Sequence, residues 1–97
     1  MIYLKINKTE QNEIVAVCDE NLIGRKFSEN NIKFDITERF YKGELMKDED
    51  GIKILKNAKN INVVGKESIK LAIKAGRIEK ENIIKIQNIP HAIVFET

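Results

Sequence analysis

Two strand patterns separated by only five polar residues begin the chain, and they constrain its fold more than any other feature. In "IYLKIN" (2–7), apolar and polar residues alternate with the period of two that is typical of a half-buried strand. The segment "EIVAVCD" (13–19) is apolar on both faces, which indicates a central strand. The connection "KTEQN" (8–12) is short and polar, so the two strands are predicted to form an antiparallel hairpin.

Further periodic segments extend this hairpin into a larger fold. Strands are predicted at 32–37, 60–65, 82–86 and 91–96, and helices at 47–59 and 66–76. In the second helix, Ile69, Ala72 and Ile73 share the apolar face, and Lys66, Lys70 and Lys74 form one stripe exposed to water. Segment 20–31 is predicted to be a loop, and 38–45 is either a short helical turn or an irregular connection.

The order of these elements predicts the fold class. The unit from Ile61 to Ile86 is strand–helix–strand, and such a crossover makes its two strands parallel if they lie in one sheet. We therefore predict an α+β fold: a mixed β-sheet, built from the N-terminal antiparallel hairpin and a C-terminal βαβ unit, packed with two helices. At 97 residues, we expect a single domain over 1–97.

Composition excludes several classes of protein. No apolar run approaches the length of a membrane span, and charges interrupt the N-terminal apolar residues, so neither a membrane protein nor a signal peptide is predicted. One cysteine cannot form an intrachain disulfide, which favours a reduced, cytoplasmic protein. One histidine and one cysteine cannot build a structural zinc site within one chain, so we predict no metal and no cofactor.

Positive charge is concentrated in one part of a chain whose net charge is only +2. The window 52–77 holds seven basic residues against Glu67 alone, and "RFYKG" (39–43) places basic residues beside aromatic ones. Such patterns are typical of surfaces that attract nucleic acid. The simpler interpretation is that the lysines form the solvated face of two helices, and that Phe40 or Tyr41 packs in the core while its charged neighbours face water. The candidate nucleic-acid-binding residues are Arg39, Tyr41, Lys42, Lys66, Lys70, Lys74 and Arg77.

The junction "VVGKES" places Gly65 at a strand end and Lys66 at a helix start. Free backbone N–H groups beside a lysine could hold a phosphate or a carboxylate. The pattern is not a P-loop, because the upstream glycine is absent and Ser68 stands one residue too far from Lys66. The simpler interpretation is an ordinary tight turn.

Cys18 and His91 are the residues that invite a catalytic interpretation. They could pair as nucleophile and base, but Cys18 shares a strand face with Ile14 and Ala16, where a cysteine is usually a small core residue. His91 begins the last strand, where a lone histidine is more often a structural hydrogen-bonding residue than a base. We predict no catalytic residue.

Four short motifs recur in this order in a known family. "CDENLIGRKF", "FYKG", "NVVG" and "IPHA" are similar to those of an archaeal family of unknown function, domain of unknown function 424. The resemblance implies an archaeal cytoplasmic protein and assigns no reaction. Among the motif residues it implies Asp19, Asn62 and His91 as the polar members of any family site, and Leu22, Phe27 and Phe40 as core.

The leading hypothesis is a non-catalytic module that contacts RNA or a ribonucleoprotein partner. The alternative is an enzyme or small-anion-binding protein, in which the candidate ligand-binding residues Asp19, Asn62, Gly65, Lys66 and His91 converge near the start of the second helix. A second alternative is an assembly subunit that acts only through protein contacts. The sequence does not give the oligomeric state.

Overall fold

Eight strands and three α-helices run through residues 1–96, the part of the chain that this computed structural model describes. They are β1 (Ile2–Lys8), β2 (Glu13–Asp19), β3 (Lys26–Glu29), β4 (Ile32–Asp35), α1 (Glu38–Tyr41), β5 (Glu44–Met46), α2 (Asp48–Asn57), β6 (Asn60–Val64), α3 (Lys66–Lys74), β7 (Ile84–Ile86) and β8 (Ile89–Val94). Two 3₁₀ turns lie at Glu20–Leu22 and Lys80–Asn82. Among these residues, no helix combines the length and the apolarity needed to cross a bilayer.

Six strands form the main sheet, in the order β5-β1-β2-β6-β8-β7. The predicted hairpin is confirmed, since β1 and β2 pair antiparallel with Ile2 opposite Asp19. β2 also pairs with β6 in parallel, with Cys18 opposite Val64. The sheet is therefore mixed, and the predicted α+β class is confirmed.

The C-terminal strand–helix–strand unit has one feature that the pattern did not reveal. β6 and β7 lie in one sheet and run in the same direction, but β8 lies between them and pairs antiparallel with both. The reason is the two-residue turn Gln87–Asn88, in which both residues have positive φ values of 50° and 66°. Such a turn matches the twist of a hairpin, so β8 folds back beside β7 and occupies the place next to β6.

The sheet separates two hydrophobic cores. Val15 and Val17 of β2 point to one side, here called the helix face, which α2 and α3 cover. Ala16 and Cys18 point to the other side, here called the hairpin face, which α1 and the β3–β4 hairpin cover. This alternation along β2 follows the period of two that the sequence predicts.

The sequence predicted only one strand of the small two-stranded sheet that β3 and β4 form. Only β4 was predicted, as part of 32–37, and its partner β3 lies in the segment predicted to be a loop. Asn30 and Asn31 form the turn with φ values of 50° and 69°, a conformation that asparagine tolerates better than most residues. Phe27 and Phe34 face each other across the two strands and pack onto the hairpin face.

The helices fall close to their predicted ranges, with one difference in which side chains are buried. Ile73 was predicted to share the buried face of α3, but it is 42% exposed. Ser68 is fully buried instead. The two positions lie about 140° apart around a helix of 3.6 residues per turn, so turning Ser68 inward turns Ile73 outward.

Candidate functional site

Asp19, at the end of β2, caps the first turn of α3. Its Oδ2 accepts a hydrogen bond from the Glu67 backbone N–H at 3.1 Å. Its Oδ1 accepts from both the backbone N–H and the hydroxyl of Ser68, each at 2.7 Å. Helix N-termini leave backbone N–H groups unsatisfied and carry partial positive charge, so a buried carboxylate is well stabilised there.

Gly65 makes this arrangement sterically possible. Its φ of 107° lies in the region that favours glycine, and a Cβ at this position would lie 2.5 Å from each carboxylate oxygen of Asp19. The anion site that "VVGKES" suggested is thus filled from within the chain by Asp19. Lys66 is exposed beside it.

Asn62 and His91 meet on the hairpin face, together with Tyr41. The Tyr41 hydroxyl donates to Asn62 Oδ1 at 2.8 Å, and His91 Nε2 lies 3.0 Å from the same oxygen. An amide oxygen can only accept, so Nε2 carries a proton and donates it. In the neutral ring, Nδ1 is then left as a hydrogen-bond acceptor.

Aromatic rings surround this pair of hydrogen bonds. The Phe34 ring stacks on His91 with centroids 4.5 Å apart, and the Phe40 ring meets Tyr41 edge to face at 4.8 Å. Burial lowers the pKa of His91 below its ordinary value and raises the pKa of Tyr41 above its own. Both side chains are therefore neutral near pH 7.

The three polar residues implied by the resemblance do not converge. Asn62 lies opposite Ala16 on the paired strands, so its side chain shares the hairpin face, as does that of His91. Asp19 follows Cys18 by one residue and therefore points to the helix face. The alternative that needs Asp19, Asn62 and His91 in one site is not supported by this geometry.

Cys18 lies in the core of the hairpin face, as the strand pattern predicted. Its side chain is fully buried, and its thiol donates a weak hydrogen bond to the Asp19 carbonyl, with Sγ and O 3.2 Å apart. Burial, assisted by the charge of Asp19, raises the pKa of the thiol to about 12. Since the thiolate is the reactive form, this setting does not activate a nucleophile.

The loop that follows Cys18 is anchored by the residues expected to anchor it. Leu22 and Phe27 are both buried in the core of the hairpin face. Gly24 between them has a φ of 84° and sits in open space. The glycine therefore serves the bend of the backbone, and no ligand contact is needed to explain it.

The basic residues on the two sides of the sheet remain exposed. Lys66, Lys70 and Lys74 are all exposed along α3, as predicted. Arg39 and Lys42 are exposed near α1, whereas Tyr41 between them is buried and bonded to Asn62.

Arg77 is committed to the fold. Its guanidinium donates to the carbonyls of Leu55, Ala58 and Lys59 and pairs with Glu96 at 3.2 Å. These carbonyls lie in the last turn of α2 or directly after it. The last C=O groups of a helix have no partner within the helix, so the guanidinium satisfies groups that would otherwise lack a donor. Arg77 therefore serves as a structural clamp.

A small cavity of about 210 Å³ opens beside His91. Its lining consists of Asn82, Ile84, His91, Ala92 and Ile93. Ile84 and Ile93 are 55% and 58% exposed. The sequence did not predict their exposure, because an isoleucine in a strand pattern is expected to be buried. Within residues 1–96, no group of three or more His, Cys, Asp or Glu side chains is placed to hold a metal ion.

Fold and site define a small α+β protein whose polar clusters lie on opposite faces of one mixed sheet. The chain belongs to the family described as "Protein of unknown function (DUF424)", which matches residues 6–97. It is also similar to the crystal structure of an uncharacterized conserved protein from the archaeon Methanopyrus kandleri. That match has a TM-score of 0.85 and 23% identity, and it covers 99% of this chain and 94% of the other. A search of curated protein sequences found no match.

Proposed function

We propose that this chain is a small, non-catalytic cytoplasmic binding module that contacts RNA or a ribonucleoprotein through the lysines of its two longer helices. The observation that supports the proposal is a surface here called the basic helix surface. Its members are exposed lysines on or beside α2 and α3: Lys53, Lys56, Lys59, Lys66, Lys70 and Lys74.

The charges of this surface remain available to a partner. Among residues 1–96, the ion pairs join the N-terminus to Glu67, Lys8 to Glu13 and Arg77 to Glu96. None of these pairs involves a lysine of the basic helix surface. A polyanion that contacts them would release its condensed counterions, which is the main source of sequence-independent affinity for nucleic acid.

The proposed contact differs from the candidate set predicted from the sequence, because it keeps the three lysines of α3 and adds the three lysines on or beside α2. Tyr41 and Arg77 are left out, because a buried tyrosine cannot stack on a base and the Arg77 guanidinium already serves the end of α2. Arg39 and Lys42 are exposed near α1, on the other side of the sheet from α3. Lys66, Lys70 and Lys74 form the centre of the proposed contact.

The test is the salt dependence of RNA binding, which is measured by the fluorescence anisotropy of labelled tRNA. We expect binding that weakens linearly on a log–log plot against salt. Replacing Lys70 and Lys74 by glutamine should reduce the slope by about 0.7–0.9 for each phosphate that is no longer neutralised. Both positions are exposed, so the fold should be unaffected.

A matched control removes the same charge elsewhere. Lys26 and Lys33 are exposed on the β3–β4 hairpin, and replacing both by glutamine should leave the slope unchanged. Absence of binding at low salt, or an equal effect of the two double variants, would refute the proposed surface.

A further inference from the structure

The cavity beside His91 has walls and polar groups of defined character. Ile84 and Ile93 lie on neighbouring strands, with Ile84 opposite His91 and Ile93 two residues further along β8. They form an apolar wall of the cavity. A cavity of about 150 Å³ can hold one benzene ring, so the 210 Å³ here suffices for a single planar ring.

One polar group of the cavity can only accept a hydrogen bond. The His91 Nε2–H is committed to Asn62 Oδ1 at 3.0 Å, and that oxygen is held in turn by Tyr41. The ring is fixed further by stacking on Phe34. His91 lines the cavity, and its Nδ1 is the acceptor that it can offer to a ligand.

A second polar group of the cavity offers a donor. Asn82 Oδ1 accepts the backbone N–H of Glu79 at 2.9 Å, as part of a capping box that starts the 3₁₀ turn Lys80–Asn82. This bond orients the amide and leaves its Nδ2–H₂ group as the donor beside the cavity. The cavity therefore combines one acceptor, one donor and an apolar wall.

We propose that this cavity binds a planar heterocycle whose edge carries an N–H donor next to a carbonyl acceptor, as the edge of a uracil ring does. The ring N–H donates to His91 Nδ1, the carbonyl accepts from Asn82 Nδ2, and the ring lies against Ile84 and Ile93. Hydrogen bonds to base edges and packing of the ring are the usual means by which proteins read an unpaired base. The site lies on the hairpin face, so it does not depend on the basic helix surface.

His91 makes the test direct, because it is the only histidine and gives a single imidazole signal in ¹H–¹³C correlation spectra. Uridine and an eight-nucleotide oligouridylate are titrated separately. We expect saturable shifts of the His91 signal with one or both probes. A shift with uridine alone indicates a free nucleoside, and a shift with the oligonucleotide indicates a base within an RNA strand. No shift with either probe would overturn the proposal.

Two matched changes test the assigned hydrogen bonds. N3-methyluridine lacks the N–H donor and should not shift the signal. Asn82→Asp keeps an oxygen for the Glu79 N–H but replaces the donor by an acceptor, and it should weaken binding about tenfold. If either change leaves the titration unaltered, the assigned hydrogen bonds are wrong.

Two further variants distinguish loss of the site from loss of the fold and from binding at a different surface. Ile93→Lys, at a position that is 58% exposed, should block the cavity while leaving the circular dichroism spectrum unchanged. The Lys70 and Lys74 double variant should respond to uridine as the parent protein does. Uridine binding that survives Ile93→Lys would place the ligand elsewhere and contradict the proposal.

Discussion

The Ser68 hydroxyl donates a hydrogen bond to Asp19 Oδ1 at 2.7 Å, although the two residues lie 49 positions apart in the sequence. This contact joins the end of a central strand to the first turn of the helix that follows its parallel neighbour. The same carboxylate also holds two backbone N–H groups, so one side chain fixes where α3 begins. Asp19 thus serves as a helix cap contributed from a distant part of the chain.

Replacing Asp19 by asparagine should lower the free energy of unfolding by about 1–3 kcal/mol. The change removes the negative charge at the helix start and one of the oxygens that accept from Glu67 and Ser68. Urea denaturation followed by circular dichroism measures the decrease. Asp35→Asn, at an exposed position of β4, is the matched control and should alter stability by less than about 0.5 kcal/mol. Equal stability of the Asp19 variant and the parent would show that the cap is not structural.

Gly65→Ala should destabilise the protein more than Gly24→Ala, although both glycines have positive φ. At Gly24 the new methyl group meets nothing within 4 Å, so only the backbone cost of about 1–2 kcal/mol applies. At Gly65 the methyl group also collides with the Asp19 carboxylate. Thermal denaturation compares the two variants. Combining Gly65→Ala with Asp19→Ala should cost less than the sum of the single changes, because the collision is removed.

His91 should make stability depend on pH in a mildly acidic range. Its pKa in the folded state is lower than the ordinary value of 6.5, so the unfolded chain binds more protons below pH 6.5. The free energy of unfolding should therefore fall as pH drops below 6.5, by up to about 1.4 kcal/mol per pH unit, until the lower folded-state pKa is reached. Tyr41 stays neutral throughout, since burial raises its pKa.

The His91 contribution is isolated by comparison with His91→Gln, which retains an N–H donor for Asn62. Urea denaturation of both proteins is measured from pH 7.5 to pH 5. Below pH 6.5, the free energy of unfolding of the parent protein should fall more steeply with decreasing pH than that of His91→Gln. Parallel pH profiles would contradict the buried, neutral state of the imidazole.

Cys18 should resist modification in the native protein. Its thiol is fully buried, and a pKa of about 12 leaves a negligible thiolate fraction at pH 8. Ellman's reagent should react with less than one thiol per chain over minutes without denaturant and with one thiol per chain in guanidinium chloride. Fast labelling of the native protein would show that the hairpin face opens readily.

Arg77→Lys should destabilise the fold without changing the salt dependence of RNA binding. A lysine retains the charge but cannot reach the carbonyls of Leu55, Ala58 and Lys59 with one planar group, so stability should fall by about 1–3 kcal/mol. Urea denaturation and tRNA anisotropy are measured on the same variant. A changed salt slope with unchanged stability would instead place Arg77 in the RNA contact.

Much of the secondary structure was predictable because it depends on local periodicity. The alternation in β1 and β2 correctly assigned Val17 and Cys18 to opposite faces, and Gly65 and Lys66 correctly marked the start of α3. The strand β3 was missed because its turn, Asn30–Asn31, requires positive φ values that composition alone does not specify. Ile73 was assigned to the core because helical periodicity places it near Ala72, but contact with Asp19 sets the rotation of α3.

The sequence by itself determined most of the elements and the alternation of faces along the central strands, since both follow from the periods of strand and helix. Only the tertiary structure decided which side chains meet. Asp19 and Asn62 are both polar residues of the central strands, yet the sheet separates them because their positions have opposite parity in the β2–β6 register. Pairings such as Asp19 with Ser68 or His91 with Asn62 join residues far apart in the chain, and only strand register and helix rotation bring them within hydrogen-bonding distance.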